Sequence, residues 1–173
     1  EAGADGLAFP SIVAIGSHSA IPHHSPTTRK LPRNGFVLLD FGCIVKGYHS
    51  DMTRMIFLSS PRGKMKEIFN IVQSAQRAAL KIVRPKIVAN KFDTTARDLI
   101  THAGYGDQFT HSTGHGVGLE IHERPWINKT NKTKLKPNTV ITVEPGIYLP
   151  GLGGVRLEDT LAITSNGHKI LTK

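Results

Sequence analysis

Apolar residues along this chain run in short unbroken or alternating stretches at its start and recur every three to four positions in its middle. Residues 12–15 and 36–45 read as strands, the second almost continuously apolar until Asp40 interrupts it. Residues 48–58 alternate polar and apolar side chains and read as a third strand, with Gly47 at the turn before it. Ser60-Pro61 predicts a helix start, because proline is tolerated in the first turn. That helix places Ile68, Phe69, Val72, Ala75, Ala79, Ile82 and Val83 on one apolar stripe, the pattern of core packing. A second helix is expected after Asn90, with Asp93 in its first turn, through Ala96, Leu99 and Ile100 to a stop at Gly104. The glycine-rich residues 113–118 read as a loop, and strands follow at 140–143, 155–164 and 169–171. Two helices among antiparallel strand pairs predict an α+β domain rather than a doubly wound parallel sheet.

At 173 residues the chain is a single domain by length, 1–173, large enough for its own core. No apolar run approaches the roughly 18–20 residues that cross a bilayer, so no membrane association is expected. The first residues carry no basic and apolar leader pattern, and no signal peptide is expected. Cys43 is the only cysteine, which excludes an intrachain disulfide and any zinc finger or ribbon and fits a reducing, cytoplasmic compartment. Lys and Arg number 22 against 13 Asp and Glu, a formal +9 that raises nucleic acid as a partner. The densest basic stretches, 62–66 and 129–136, are not interleaved with aromatics as a base-stacking platform would be. A solvated basic surface is therefore expected, not a nucleic-acid site.

With acids so few, a carboxylate inside an apolar strand is informative, since burying an unpaired charge costs several kcal/mol. Asp40 sits in Leu38-Leu39-Asp40-Phe41-Gly42, and Asp51 follows in Ser50-Asp51-Met52-Thr53-Arg54, so two strands joined by a short turn bring the pair side by side. Glu144 closes Val140-Ile141-Thr142-Val143, and Glu158 follows Val155-Arg156-Leu157. Each alone reads as the partner of Arg54 or Arg156 or as a strand end in solvent. Four together, with His115 between Gly114 and Gly116, have the composition that two divalent ions about 3.5–4 Å apart require. One imidazole among carboxylates suits Mn, Fe, Co or Zn, and the chemistry served is hydrolysis of a polarised carbonyl. His122 is expected on a strand near the glycine-rich loop, and the absence of a His-Glu-x-x-His motif excludes a helical zincin.

Six motifs then stand in a telling order: Leu39-Asp40-Phe41-Gly42, Gly47-Tyr48-His49-Ser50-Asp51-Met52-Thr53-Arg54, Gly114-His115-Gly116-Val117-Gly118, Ile121-His122-Glu123, Val143-Glu144-Pro145-Gly146 and Gly154-Val155-Arg156-Leu157-Glu158-Asp159. In this order they resemble the pita-bread metallopeptidases, the family of Xaa-Pro aminopeptidase, prolidase and methionine aminopeptidase. The resemblance implies a pita-bread fold lacking its N-terminal helices, a truncated catalytic domain. It implies five metal ligands: Asp40 on one ion, His115 and Glu144 on the other, Asp51 and Glu158 bridging, with Glu144 also the general base. His23, chosen over His24 because it directly follows Ala20-Ile21-Pro22, matches a histidine near the scissile bond. His122 matches one that stabilises the tetrahedral intermediate, His111 lines the proline pocket, and Arg156 matches the arginine of the proline-specific branch. The implied activity is dinuclear metal-dependent cleavage between an N-terminal residue and proline, with two divalent ions, manganese first, and peptide substrates carrying proline second. Methionine aminopeptidase chemistry and a non-catalytic binding module are the alternatives. Apolar surface left bare by a missing N-terminal part would favour a homodimer. Two positions depart from the pattern: Lys86 and Asn138 stand where the family usually has glycine.

Overall fold

The computed structural model of the chain describes residues 3–172. Among them the polypeptide forms thirteen short strands and two α-helices, an α+β arrangement in which every strand pairing is antiparallel. β1 (Gly6–Leu7), β4 (Cys43–Val45) and β5 (Tyr48–His49) make a small sheet, and β2 (Ile12–Ile15), β3 (Phe36–Phe41) and β6 (Met52–Phe57) a second one in the order β2-β3-β6. Five strands follow in the order β13-β12-β9-β7-β8: β7 (Gly114–Gly116), β8 (Glu123–Ile127), β9 (Val140–Val143), β12 (Asp159–Ile163) and β13 (His168–Ile170). β10 (Gly146–Leu149) and β11 (Gly153–Arg156) form a hairpin.

Helices α1 (Gly63–Ile82) and α2 (Ala89–His102) pack on each other and cover one side of the strands. The stripe read from the sequence is the buried face of α1: Ile68, Val72, Ala75 and Ala79 are fully enclosed against Phe92, Ala96, Ile100, Ile141, Ile147, Val155 and Leu161. Each large apolar side chain so enclosed is worth about 1.5–3 kcal/mol relative to exposure, and the core thus lies between the helices and the strands that carry the site.

Several elements differ from their expected form. α1 starts at Gly63, not at Pro61, because the entry needs a positive φ (+53°) that proline cannot adopt. α2 starts at Ala89, and Asp93 is buried one turn in rather than serving the helix terminus, while Leu99 faces solvent. The stretches 36–45, 48–58 and 155–164 are each broken in two. Gly42 is the first break: a Cβ there would overlap the Ser50 carbonyl, and Ser50 N–H donates to Cys43 O (2.9 Å) while Cys43 N–H donates to Ser50 Oγ (3.0 Å). The other two breaks fall on Ser50-Asp51 and Leu157-Glu158, where the chain leaves the ladder to turn a carboxylate inward. The glycine-rich stretch is a strand, β7, wedged between β8 and β9, because Gly114 and Gly116 admit the neighbouring backbones where a Cβ would not fit. β8 and β10 carry no alternation that announces them, since Pro125 interrupts one and the other is enclosed on both sides.

Candidate metal centre and substrate cavity

Side chains from five separate stretches of strand and adjoining loop meet at one cavity of about 500 Å³. Asp40 projects from β3, Asp51 from the bend before β6, His115 from β7, Glu144 from the end of β9, and Glu158 from the turn between β11 and β12. Backbone bonds set these positions. Glu144 N–H donates to Thr113 O (2.8 Å), Glu158 N–H to Thr53 O (3.2 Å), and the Thr160 hydroxyl to Asp51 O (2.7 Å).

Ligand atoms of Asp51, His115 and Glu158 all lie within 4.8 Å of one another, and all three residues are buried. His115 Nε2 stands 3.5 Å from Asp51 Oδ2 and 3.3 Å from Glu144 Oε1, which joins Glu144 to the cluster. Asp40 is tied to Arg156, whose Nη2 donates to its Oδ2 at 2.5 Å. Its other oxygen, Oδ1, and Glu158 Oε1 are buried without a hydrogen bond from any of the described residues. Two orphaned carboxylate oxygens aimed into a cluster of acids and an imidazole fit divalent cations, because a buried carboxylate oxygen lacking a donor is otherwise costly. The donor set, oxygens with one imidazole nitrogen, fits Mn, Fe, Co or Zn.

Crowding of these acids shows in their protonation. Burial, then the charges of Glu144, Asp51 and Asp40, pushes Glu158 well above the ordinary carboxylate range, against the opposing bond from Thr53. Burial pushes Glu144 up to about 7, with Asp51 and Asp40 adding and His115 and Arg156 opposing. Asp40 is raised by burial, partly offset by Arg156. Burial would lower His115, but Asp51 and Glu144 outweigh it and raise it. Like charges at this separation favour the ionised forms only when cations join them.

Around the cluster the other expected residues line the same cavity: His23 and His122 exposed, His24 and His111 half-buried, and Arg156 enclosed. The His24 ring lies against that of His18, tilted by 47° with centroids 4.7 Å apart. His122 sits in the bend before β8, not on a strand, with its ring 4.4 Å edge-on to that of His115. Burial and the neighbouring His115 lower its pKa. His111 Nε2 meets the Tyr148 hydroxyl at 2.8 Å, and burial drops its pKa to about 4, leaving it neutral. Arg156 is enclosed and spends its donors on Asp40, Thr53 Oγ1 (3.1 Å), Tyr148 Oη (2.8 Å) and Pro22 O (3.3 Å).

Five residues at or behind the cavity wall are not among the expected site residues. Tyr148, buried and with its hydroxyl pushed up to about 12 by burial, joins His111 to Arg156. Thr53 donates to Glu158 Oε2 (2.6 Å), and Thr142 receives His115 N–H (3.0 Å) while reaching Glu144 Oε1 (3.2 Å). The hydroxyls of Thr53 and Thr142 inside apolar strands were the available signal. Trp126 forms the wall beside His115 and His122, with ring centroids 6.3 Å from each. Ser19 Oγ, accepting Gly154 N–H at 2.7 Å, pins the turn that leads to His23 onto β11, the strand of Arg156.

The chain is 49% identical over 171 residues to the Xaa-Pro dipeptidase of Pyrococcus furiosus, covering 99% of this chain and 49% of that protein. The solved prolidase of Pyrococcus furiosus superposes with a TM-score of 0.96 at 49% identity over 99% of this chain and 51% of that one. The X-Pro aminopeptidase of Thermotoga maritima superposes with a TM-score of 0.95 at 42% identity, covering 99% of this chain and 49% of that one. The fold is the pita-bread fold of these peptidases, and the chain spans about half the length of the curated relatives it matches. The model of metallopeptidase family M24 matches residues 1–165. A match over nearly the whole chain, joined to this likeness in sequence and fold, places the protein in metallopeptidase family M24.

Proposed function

We propose that this chain carries the catalytic machinery of an Xaa-Pro peptidase, hydrolysing the bond between an N-terminal residue and proline as a dipeptidase or aminopeptidase. The observation that carries the reading is the convergence of four acids, His115 and four further imidazoles on one cavity, with two carboxylate oxygens left unpaired among the described residues. The names of its relatives, dipeptidases and aminopeptidases acting before proline, point to the same bond.

Asp40, Asp51, His115, Glu144 and Glu158 would hold two divalent ions, manganese first among Mn, Co, Fe and Zn. Such ions supply Lewis-acid polarisation of the scissile carbonyl and acidify water. The remaining steps belong to the chain. Glu144 takes the proton of the attacking water and delivers it to the departing proline nitrogen. His122 and His23 donate toward the carbonyl oxygen as negative charge develops there. His111, neutral and tied to Tyr148, lines the place of the proline ring. Arg156 holds Asp40 and Tyr148 in one orientation. Phe9, Pro10, Pro26 and Trp126 give the cavity an apolar wall for the substrate's side chains. A cytoplasmic location fits the single cysteine.

The test is Mn²⁺-dependent hydrolysis of Xaa-Pro and Xaa-Pro-Yaa peptides by chelator-stripped protein, with Glu144→Ala as control. Cleavage restored by metal and lost in the variant supports the reading, and the preferred peptide length separates dipeptidase from aminopeptidase. A folded, metal-loaded protein that cleaves neither peptide overturns it.

A further inference from the structure

One ion pair built on a buried acid forms no part of the cavity wall. Asp93, on α2, has no solvent exposure, and Arg97 one turn later forks onto it, with Nε to Oδ2 and Nη2 to Oδ1 both at 2.9 Å. Desolvating two ions is expensive, and such pairs are often replaceable by apolar residues without loss of stability. Fold stability alone is therefore a weak reason for this one.

Among the described residues, every other side-chain hydrogen bond of the pair goes to a single segment, residues 109–113. Arg97 Nη1 donates to Phe109 O (3.0 Å) and Nη2 to His111 O (2.8 Å), and the guanidinium lies 4.1 Å over the Phe109 ring. Asp93 Oδ1 accepts from both the Thr113 amide (3.2 Å) and the Thr113 hydroxyl (2.8 Å). That segment holds the site together. Phe109 packs edge-on against the His111 ring, 5.2 Å between centroids. Thr113 O receives the Glu144 amide at 2.8 Å, and the chain runs two residues on to His115.

We propose that the Asp93–Arg97 pair is a positioning clamp: it touches no ligand or substrate, but by gripping residues 109–113 it sets His115 and Glu144 for the metal and His111 for the substrate. The substrate half of this inference rests on the Xaa-Pro reading above, whereas the metal half does not. Groups that hydrogen-bond a metal ligand directly typically contribute 10–100-fold in affinity, and the clamp acts on one such contact, the Thr113 carbonyl on the Glu144 amide.

The experiment is calorimetric Mn²⁺ titration of the stripped, folded protein, with steady-state kinetics on an Xaa-Pro peptide in saturating metal. Thr113→Val keeps the size of the side chain but loses the hydroxyl, and is expected to weaken Mn²⁺ about 10-fold or more, with Thr113→Ser restoring it. Arg97→Lys keeps the charge but loses the fork, and is expected to weaken Mn²⁺ about 10-fold and to raise KM more than it lowers kcat. A merely structural pair would lower the melting temperature of these variants while leaving Mn²⁺ affinity and KM at wild-type values, and that result overturns the proposal. Should Thr113→Val not fold, Arg97→Lys decides by the same criterion. If the wild type binds Mn²⁺ but cleaves no Xaa-Pro peptide, the titrations still decide the clamp, and only the peptidase reading fails. Absence of Mn²⁺ binding by the wild type overturns both.

Discussion

Glu144→Gln is expected to stabilise the metal-free protein at pH 8 while leaving it little changed at pH 5. Burial is the chief reason that the Glu144 carboxyl is raised from its ordinary 4.5 to about 7. Between those values the folded chain keeps a proton that the unfolded chain has released, so stability falls as pH rises and the loss is complete above pH 7. At about 1.4 kcal/mol for each pH unit in this window, ionising Glu144 costs the folded state about 3 kcal/mol. Glutamine does not incur this cost, and its neutrality also relieves Glu158, which the Glu144 charge helps to raise. His111, lowered to about 4, contributes with the opposite sign between its folded value and the ordinary 6.5, but it does so in both proteins and cancels in their difference. Urea denaturation in chelator, followed by circular dichroism at pH 5, 6.5 and 8, should show the variant's advantage growing from small to about 3 kcal/mol. Saturating Mn²⁺ should then reverse the ranking, because only the folded wild type has the full ligand set to gain from binding. A difference independent of pH, or a wild type more stable than the variant at pH 8 in chelator, refutes the reasoning.

Gly114→Ala should destabilise the protein by more than about 2 kcal/mol and abolish Mn²⁺ binding, since its Cβ would overlap the Thr142 carbonyl and displace His115; denaturation and calorimetry measure both effects. Lys86→Gly should stabilise by up to about 1 kcal/mol, because Lys86 sits at φ +71°, and Asn138→Gly, at φ +65°, should gain less because asparagine tolerates that region; urea midpoints check both. Trp126, the only tryptophan in the chain, stands beside His115 and His122, so its emission should change on Mn²⁺ addition and fail to change in Glu158→Gln.

Much of the site was legible in the sequence because its acids break apolar strands, where a charge has few physical reasons to be. Asp40, Asp51, Glu144 and Glu158 stood out on that ground, and the structure gathers all four at one cavity. Lys86 and Asn138, noted as standing where glycine is usual, both adopt positive φ. Tyr148 was not legible: a tyrosine in an apolar strand looks like core until the strand is placed between His111 and Arg156. Asp93, expected in the first turn of its helix, differs for the opposite reason. An acid near a helix start suits the helix dipole, and only the approach of residues 109–113 from elsewhere gives it a buried partner set.

What the sequence determined by itself was local: the apolar stripe of α1, the presence of most strands, and the residue types available for chemistry. Such periodicities reflect which face of one element avoids water, a property each segment carries alone. The tertiary structure decided where strands stop and which side chains meet. The breaks at Gly42, Asp51 and Glu158 arise where the ladder gives way to contacts with residues far along the chain, as when Arg54 grips the Glu158 carbonyl and Asp159 while Thr53 holds the Glu158 carboxylate. The glycine-rich stretch became a strand because neighbouring backbones, absent from any local pattern, close on it from both sides. Long-range pairing decides these features because a buried carboxylate or backbone amide is stable only with a partner, and that partner is rarely its neighbour in sequence.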